Sequence, residues 1–300
     1  MLDRVKLKIS NIHEDFIITT FDEVYMTPSG KDVKFRYGTF SGTFIARQNA
    51  VILTGSLHKF FKGGENFDDF SYEQVKSSLK MISDKFNKEL KDIQIQFVEI
   101  GVNLKMSTEP ANYFNCFKAL DKNTFICMTP LTGSNRINGI RCKSSTNDFK
   151  VYNKSADAKK KSKTKIYAPE NIVRIEMVLY SIYLRQHKMI YNAEQLYNPR
   201  IFKRYVQVLV KAFNRSSKLS IYSAEDLKGL TEKDIRDYCF ITSEHYHIFT
   251  ETLKRLGRSM KNEIARRKKT VGRINNLEIN IDYVEELTEA FHNKRKQLMD

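Results

Sequence analysis

Residues 148–179 read DFKVYNKSADAKKKSKTKIYAPENIVRIEMVL, and this stretch predicts two β-strands joined by a basic segment. Successive side chains of a strand point to opposite faces of its sheet. The strand Asp148–Asn153 therefore has one apolar face and a second face that carries Lys150 and Tyr152, which Lys154 extends. The stretch thus predicts a phenol between two ammonium groups, all projecting from the same side.

Two further strands carry polar groups on one face in the same way. In the second strand of the stretch, Arg174 and Glu176 lie opposite an apolar face, and in the upstream strand Ile93–Met106 the same is true of Glu99 and Asn103. If the three strands are neighbours, their side-chain oxygens form a cluster beside the phenol. Carboxylate and amide oxygens are the ligands that Mg²⁺ and Mn²⁺ prefer.

This combination of groups is suited to phosphoryl transfer. A phenolate attacks the phosphorus, a divalent cation polarises the phosphate, and a lysine balances the charge that develops in the transition state. The cations Lys150 and Lys154 predict that Tyr152 loses its proton more readily than a free phenol does. A sheet with one ordinary solvated face would show the same alternation, so spacing alone leaves both interpretations open.

The rest of the chain predicts an α+β fold. The first 105 residues contain β-rich segments separated by turn residues, namely Val5–Ile9, Phe16–Thr20, Val33–Tyr37, Gly42–Arg47 and Val51–Ser56. Helical periodicity marks Tyr72–Leu90, with Ser71 as its N-cap, and several segments beyond Pro199. We therefore predict a β-rich catalytic domain with a mainly antiparallel sheet over residues 1–195. A basic helical region, for DNA binding or an accessory role, follows over residues 196–300.

The positive charge is concentrated in the second half of the chain. The formal net charge is +16, of which residues 1–140 contribute +2, so that residues 141–300 contribute +14. This asymmetry indicates a polyanionic partner such as nucleic acid, although a basic surface also serves ordinary solubility. Candidate DNA-binding residues lie in a predicted solvated loop, KKKSKTK, and in a predicted helix: Lys159, Lys160, Lys161, Arg266, Arg267, Lys268 and Lys269.

Composition argues against several other classes of protein. No apolar run approaches the roughly 18–20 residues of a membrane helix, and the first ten residues lack the apolar core of a signal peptide. The four cysteines include no CxxC pair, which argues against a zinc site or a disulfide scaffold. We therefore expect a cytoplasmic protein without a membrane partner.

Three blocks of the chain resemble rolling-circle replication initiators. Residues 148–179 are similar to the Arg-x-Tyr-Asn/Asp-Lys strand, basic insertion and Arg-Ile/Val-Glu strand of the Rep_trans or replication initiation factor family. That family includes Rep proteins of staphylococcal plasmids and relaxases of mobile elements. VEIGVNLKM, residues 98–106, resembles its Leu-Asp-x-x-x-Asp strand. LTGSLHKFFKGGENFDDFSYEQVKSSL, residues 53–79, resembles the Gly-Ser-x-x-Lys-Phe, Gly-x-Asn stretch of the gene II and gene X replication proteins of filamentous phages, which is likewise followed by a helix.

The resemblance implies a nickase-ligase that cuts one DNA strand at a replication origin. Such an enzyme stays attached through a 5′-phosphotyrosine and leaves a free 3′-OH for a polymerase. The resemblance implies that Tyr152 is the nucleophile, with Lys154 and Lys150 as catalytic cations. Lys150 stands where the family usually carries arginine, which keeps the charge and loses the bidentate fork.

The resemblance also implies a divalent cation, Mg²⁺ or Mn²⁺, as the cofactor. Its ligands would be Glu99, Glu176 and Asn103, and Asn103 stands where the family has a second acid. The metal site therefore rests mainly on the two glutamates. Arg174, on the same strand as Glu176, is a further candidate DNA contact.

Two other groups of residues compete for roles in the site. Ser56 and His58 share a face of a predicted strand and could reach the substrate or the metal, although a structural histidine explains His58 as well. Tyr180 alternates onto the face of Glu176, which makes it the rival of Tyr152 for the role of nucleophile.

The partners that the resemblance implies are a replication origin, as a single strand or an extruded hairpin, and the host helicase and polymerase. Whether the protein forms a homodimer is left open. Such a protein is encoded by a phage, a plasmid or a mobile element of a bacterial host. Two alternatives stay open, a mobilisation relaxase on the same scaffold and a non-catalytic DNA-binding protein.

Overall fold

The structure is a computed structural model that describes most of the chain. Its described residues are 2–27, 32–64, 66–128, 137–161, 169–189, 191–218, 230–242, 249, 252–253, 255–259, 261–263, 265–266, 269 and 282–299. They form two compact units, one of Met1–Ser217 with Leu287–Asp300 and one of Lys218–Glu286. This division differs from the boundary predicted after residue 195, because the helix that follows that boundary packs on central strands of the first unit.

The first unit is built on a ten-stranded sheet in which every neighbouring pair is antiparallel. Together with the helices below, it confirms the predicted α+β class with a mainly antiparallel sheet. In their order across the sheet, the strands are β2 (Val24–Met26), β3 (Asp32–Tyr37), β4 (Phe40–Ile45), β5 (Ala50–Ser56), β1 (Leu2–Ser10), β6 (Ile93–Lys105), β12 (Ile172–Tyr180), β11 (Asn147–Asn153), β10 (Gly139–Lys143) and β9 (Ile126–Cys127). A smaller sheet contains β13 (Ser216–Lys218), β7 (Phe117–Leu120) and β8 (Asn123–Thr124).

The first unit also contains helices, several of which pack on the large sheet. They are α1 (Glu14–Thr20), α2 (Leu57–Lys62), α3 (Tyr72–Phe86), α4 (Pro110–Phe114), α5 (Lys154–Lys161), α6 (Ser181–Gln186), α7 (Pro199–Arg215) and α9 (Tyr283–Met299), while α8 (Glu232–Thr242) belongs to the second unit. Aromatic rings join them: Phe202 of α7 lies 5.1 Å from Tyr72 of α3, and Phe213 stacks at 3.9 Å on Phe291 of α9, measured between ring centroids. No described helix combines the length and the apolar character needed to cross a lipid bilayer.

The longest predicted helix of the first half is confirmed with its cap. Ser71 accepts a hydrogen bond from the Gln74 amide while the Gln74 side chain accepts one from the Ser71 amide, which is a complete capping box. The helix ends at Phe86, four residues before the predicted end, because Asn87 adopts a left-handed conformation at φ 47°.

Three predicted segments have a different structure. Phe16–Thr20, predicted as a strand from its β-branched residues, lies in α1, where Glu14 and Asp15 occupy the first turn and favour the helix dipole. The predicted strand through His58 is helix α2, which begins after Ser56 because the Ser56 hydroxyl accepts from the Lys59 amide at 3.0 Å. The start of the predicted basic loop is helix α5, Lys154–Lys161.

Strands β6, β12 and β11 are neighbours in the sheet, which meets the condition under which their polar side chains form one cluster. Glu176 pairs across the sheet with Gly101 on one side and Lys150 on the other. Arg174 pairs in the same way with Asn103 and Tyr152. Directly opposed residues share a face, so these polar side chains project together.

Two irregularities in the pairing of β1 with β6 bring further side chains to this polar face. Leu2 pairs with Ile100 and Val5 with Val98, so β1 has one extra residue, a bulge, at Asp3 and Arg4. A second bulge in β6 lies at Gln96. A bulge breaks the regular alternation and thereby re-aims the side chains beside it.

Candidate active site

A cavity of about 690 Å³ lies over the polar face of the central strands. Its lining includes side chains from β1, β5, β6, β11, β12 and α5, among them the predicted catalytic and metal-binding residues Glu99, Lys150, Tyr152, Lys154 and Glu176. The structure therefore brings together residues from three separate stretches of the sequence, at position 99, at positions 150–154 and at position 176. Asn103 and Arg174 lie beneath this floor rather than on it.

Three buried carboxylates converge at the floor of the cavity. Asp3, Glu99 and Glu176 each offer one carboxylate oxygen, and these oxygens all lie within 4.8 Å of one another. Glu99 and Glu176 were predicted from strand alternation, whereas Asp3 was not. Regular alternation would place Asp3 on the apolar face with Val5, and the bulge in β1 turns it to the polar face instead.

Arg174 lies under the carboxylates with its side chain completely buried. Its guanidinium forms ion pairs with Asp3 and Glu176 and donates to the Asn103 amide oxygen at 2.9 Å. A guanidinium held in this way cannot reach a DNA phosphate, so the predicted DNA contact at Arg174 is wrong. Its three partners make it the cation that holds the carboxylate cluster together.

Asn103 positions Arg174 and is not placed to bind a metal ion. Its amide oxygen accepts from Arg174, and its amide nitrogen donates to the backbone oxygens of Asn66 at 2.9 Å and Phe67 at 3.0 Å. Because the amide oxygen that could bind a cation faces the guanidinium, the structure gives no support to Asn103 as a ligand. Asp3 is the third carboxylate of the cluster.

Glu99 and Glu176 share one cation and differ strongly in pKa. The Lys150 ammonium lies 3.2 Å from Oε2 of Glu99 and 3.5 Å from Oε2 of Glu176. Burial alone would raise the pKa of Glu176, but Arg174 and Lys150 outweigh it and lower that pKa to about 2. Burial and the charge of Glu176 raise the pKa of Glu99 to about 7. The nearby cations therefore compensate the charge of Glu176 fully, but at neutral pH they do not fully compensate a negative charge on Glu99.

This imbalance predicts that Glu99 destabilises the metal-free protein as the pH rises. Glu99 ionises at the ordinary pKa of 4.5 in the unfolded chain and at about 7 in the folded chain. Between these pH values only the unfolded chain has lost the proton, so the free energy of unfolding falls as the pH rises. We expect Glu99→Gln to raise the free energy of unfolding at about pH 8 by on the order of 1–3 kcal/mol, and not at about pH 4. Denaturant titrations in EDTA across this range test the difference. An equal gain at every pH would contradict the assignment.

Tyr152 lies at the centre of the site with its hydroxyl on Glu176. The hydroxyl donates to Oε1 of Glu176 at 2.8 Å, and only 9% of the surface of Tyr152 is exposed. Burial and the charge of Glu176 raise the pKa of Tyr152 well above its ordinary value. The expectation that neighbouring cations favour the phenolate is therefore wrong for this state, in which Tyr152 is a neutral phenol.

Lys154 reaches the cavity from the first turn of α5 and not from the end of a strand. Its ammonium lies 5.8 Å from the ring centroid of Phe67. Burial and the charge of Arg174 lower the pKa of Lys154 to about 8. An ammonium with a pKa near neutrality is suited to donating a proton as well as to balancing charge.

Ser56 and His58 are separated by the structure: only Ser56 reaches the cavity, and His58 takes the structural alternative. The Ser56 hydroxyl donates to Asp3 and lines the cavity, so its predicted reach to a substrate or metal stays a prediction. His58 is completely buried, stacks on Phe70 at 4.7 Å between ring centroids, and has its Nε2 2.8 Å from Asp68. Burial lowers the pKa of His58, so the ring is a neutral part of the packing outside the cavity.

The predicted DNA-binding residues of the basic segments are described only in part. The backbones of Lys159, Lys160 and Lys161 form the end of α5, while their side chains, like all of Arg267 and Lys268, lie outside the described residues. Arg266 donates to Glu263 at 2.6 Å and lies 5.6 Å from the centroid of Phe240, so it is engaged within the second unit. Lys269 is exposed.

No protein-family model matches the sequence, and the curated proteins include no significant match to it.

The three carboxylates fit a divalent cation by the chemistry of their donor atoms. Hard cations prefer carboxylate oxygens, and a buried glutamate that ionises only near pH 7 has a deficit of positive charge that a divalent cation would supply. Asp3, Glu99 and Glu176 are the residues that would hold it. Gly101 leaves room beside them, since a Cβ there would lie 2.9 Å from Cγ of Glu176.

Proposed function

We propose that the chain is a metal-dependent DNA strand-transferring endonuclease, a nickase-ligase that initiates rolling-circle replication. One observation carries the proposal, namely the hydroxyl of Tyr152 on Glu176 at the floor of a cavity that also contains Lys150 and Lys154. A nucleophile, acids for a cation and two ammonium groups are the components that phosphoryl transfer through a tyrosine needs.

In the proposed reaction the Tyr152 oxygen attacks a backbone phosphorus of one DNA strand. A bond forms between this oxygen and the phosphorus, and the bond from the phosphorus to the 3′ oxygen breaks. The products are a 5′-phosphotyrosine and a free 3′-OH, and reversal of the same step rejoins the strand. A divalent cation on the three carboxylates would supply positive charge at the phosphate.

The lysines and Glu176 have separate roles in this scheme. Glu176 holds the Tyr152 hydroxyl in place, and its low pKa makes it a poor acceptor for the proton. The proton therefore passes to solvent in the step in which the bond from the Tyr152 oxygen to the phosphorus forms. Lys154, with a pKa of about 8, donates a proton to the departing 3′ oxygen. Lys150 balances charge between Glu99 and Glu176.

The substrate of this proposal is a replication origin, as a single strand or an extruded hairpin. The net charge of +16 supports a nucleic acid partner. Host helicase and polymerase would act on the free 3′-OH, and the protein would work in the cytoplasm of a bacterial host. A mobilisation relaxase would use the same residues for the same cleavage.

One observation favours a second candidate, a DNA-binding protein without catalysis. Arg174 already pairs with both Asp3 and Glu176, and the pKa of Tyr152 is raised rather than lowered. A purely structural ion-pair network would have these properties. The two candidates differ in whether the protein cuts DNA.

A nicking assay separates them. The substrate is a supercoiled plasmid that carries the native DNA around the coding sequence, incubated with the protein in Mg²⁺, Mn²⁺ or EDTA. We expect open circular product with either cation and none with EDTA. Binding of the plasmid without a nick in either cation would support the non-catalytic candidate.

A further inference from the structure

A second cavity, of about 710 Å³, adjoins the first along the same face of the sheet. Phe97 and Tyr180 line both cavities and therefore form the boundary between them. Tyr180 lies four residues beyond Glu176 on β12, or about 13 Å at ~3.3 Å per residue. A polymer that runs from the first cavity into the second must pass over these two rings.

A cation and the two rings form one row across three neighbouring strands. Lys6 of β1 pairs with Phe97 of β6, which pairs in turn with Tyr180 of β12. The bulge at Gln96 produces this row, because it places Phe97 on the polar face. Neither ring is buried, and the Arg4 guanidinium lies 5.8 Å from the ring centroid of Phe97.

The lining of the second cavity is basic, amide-rich and aromatic. It has three cations, Lys6, Lys91 and Arg185, and no carboxylate, although Lys91 also pairs with Glu89 at 2.5 Å. It also has amide side chains and aromatic rings, namely Gln94, Gln96, Asn192, Phe97, Tyr180 and Tyr191, and the rest of the lining is Ile95, Ser181 and Leu184. Cations for the backbone together with rings for the bases are the features of sites that bind single-stranded nucleic acid.

We propose that the second cavity binds the single-stranded DNA that flanks the cleaved bond, with bases stacked on Phe97 and Tyr180. This inference rests on the proposed function. A single strand is favoured over a duplex because stacking on protein rings needs bases that are free of their partners. Lys6, in the same row, contacts the phosphate beside the stacked bases.

Binding of a labelled oligothymidylate in EDTA tests the proposal without any cleavage. We expect Phe97→Ala and Tyr180→Leu each to weaken binding by roughly 5- to 150-fold, the range for loss of one stacked base. Tyr180→Phe keeps the ring and should bind within about twofold of the native chain. Tyr25→Ala is the matched control, because Tyr25 is an exposed ring on the edge strand β2.

The salt dependence of oligothymidylate binding gives a second test. It remains available even if the variants of Phe97 and Tyr180 do not fold. Lys6→Gln should reduce the slope of log K against log salt by about 0.7, the value for one phosphate contact of a single strand. Native affinity in folded Phe97→Ala and Tyr180→Leu, or an unchanged slope in Lys6→Gln, would overturn the proposal. The proposal would also be overturned if a DNA duplex of equal length bound as tightly as the single strand through the same residues.

The outcome for the cavity can be separated from the outcome for catalysis. If the protein does not nick DNA but Phe97→Ala weakens oligothymidylate binding, the inference stands and the proposed enzyme activity fails. If nicking occurs and all the variants bind as the native chain does, the activity stands and this cavity is not the path of the strand.

Discussion

Replacing Tyr152 by phenylalanine should abolish DNA nicking, with a loss of roughly 10⁴-fold or more, the scale seen when a covalent nucleophile is removed. The change keeps the ring, which is buried against its neighbours, and removes only the oxygen that donates to Glu176. The remaining partner of that carboxylate oxygen, Arg174, stays in place. We therefore expect a loss of about 1 kcal/mol of stability and DNA affinity within about threefold of the native value.

The matched control for this variant is Tyr25→Phe, on an exposed residue of the edge strand β2. It should nick at the native rate. Both variants are assayed on the same supercoiled plasmid, with unfolding followed by circular dichroism. Native nicking by a folded Tyr152→Phe would show that another group attacks the phosphate.

The second large effect is expected for Glu176→Gln, in both activity and stability. Glu176 accepts from Tyr152 and pairs with Arg174 and Lys150, so its neutralisation leaves a buried guanidinium with Asp3 as its one remaining ion-pair partner among the described residues. Breaking a buried pair in this way costs roughly 3–5 kcal/mol. We expect nicking to be lost together with a large drop in the midpoint of thermal unfolding.

The dependence of this drop on pH identifies its cause. The pKa of Glu176 is about 2 in the folded chain, below the ordinary 4.5, so its contribution to stability is complete above 4.5 and lost as the pH falls towards 2. The native chain and Glu176→Gln should therefore converge in stability as the pH falls through this window. A constant difference would mean that shape, and not charge, is responsible. If Glu176→Gln nicks DNA at the native rate, the residue is outside the reaction.

The alternation of side chains along the strands correctly predicted which residues share the polar face of the site. This alternation depends only on the local geometry of each strand. The faces of Lys150 and Tyr152, and those of Arg174 and Glu176, follow from the period of two and are as predicted. Alternation does not say whether a polar face is covered. That is why Arg174 was expected at the surface and Tyr152 was expected to ionise readily, although both are buried.

Bulges account for the residues that the sequence analysis missed. Asp3 and Phe97 reach the polar face through the bulges in β1 and β6. The bulge in β6 left a signal in the sequence, since the apolar residues Ile93 and Ile95 are odd-numbered, whereas Val98 and Ile100 are even-numbered. This change of phase marks the extra residue of the bulge, and it could have been used to predict that Phe97 lies on the same face of the strand as Glu99. Asp3 is an acid in phase with apolar neighbours, which is also a sign of irregular pairing.

Short helices were predicted less well than long ones. In α1 the β-branched residues favour a strand, while the acids of the first turn and the burial of Ile17 favour the helix that forms. In α2 the cap at Ser56 ends a strand and starts a helix within one residue. Such changes depend on tertiary packing, which periodicity over a few residues does not report.

The central claim, that Tyr152 attacks the DNA backbone, is tested most directly by locating the covalent bond. The protein is incubated with Mn²⁺ and single-stranded DNA from the region of its coding sequence, then denatured in SDS and digested with nuclease and trypsin. Mass spectrometry of the peptides should find a nucleotide joined through its 5′-phosphate to the peptide that contains Tyr152. A nucleotide on Tyr180 instead, or cut DNA without any protein adduct, would contradict the account.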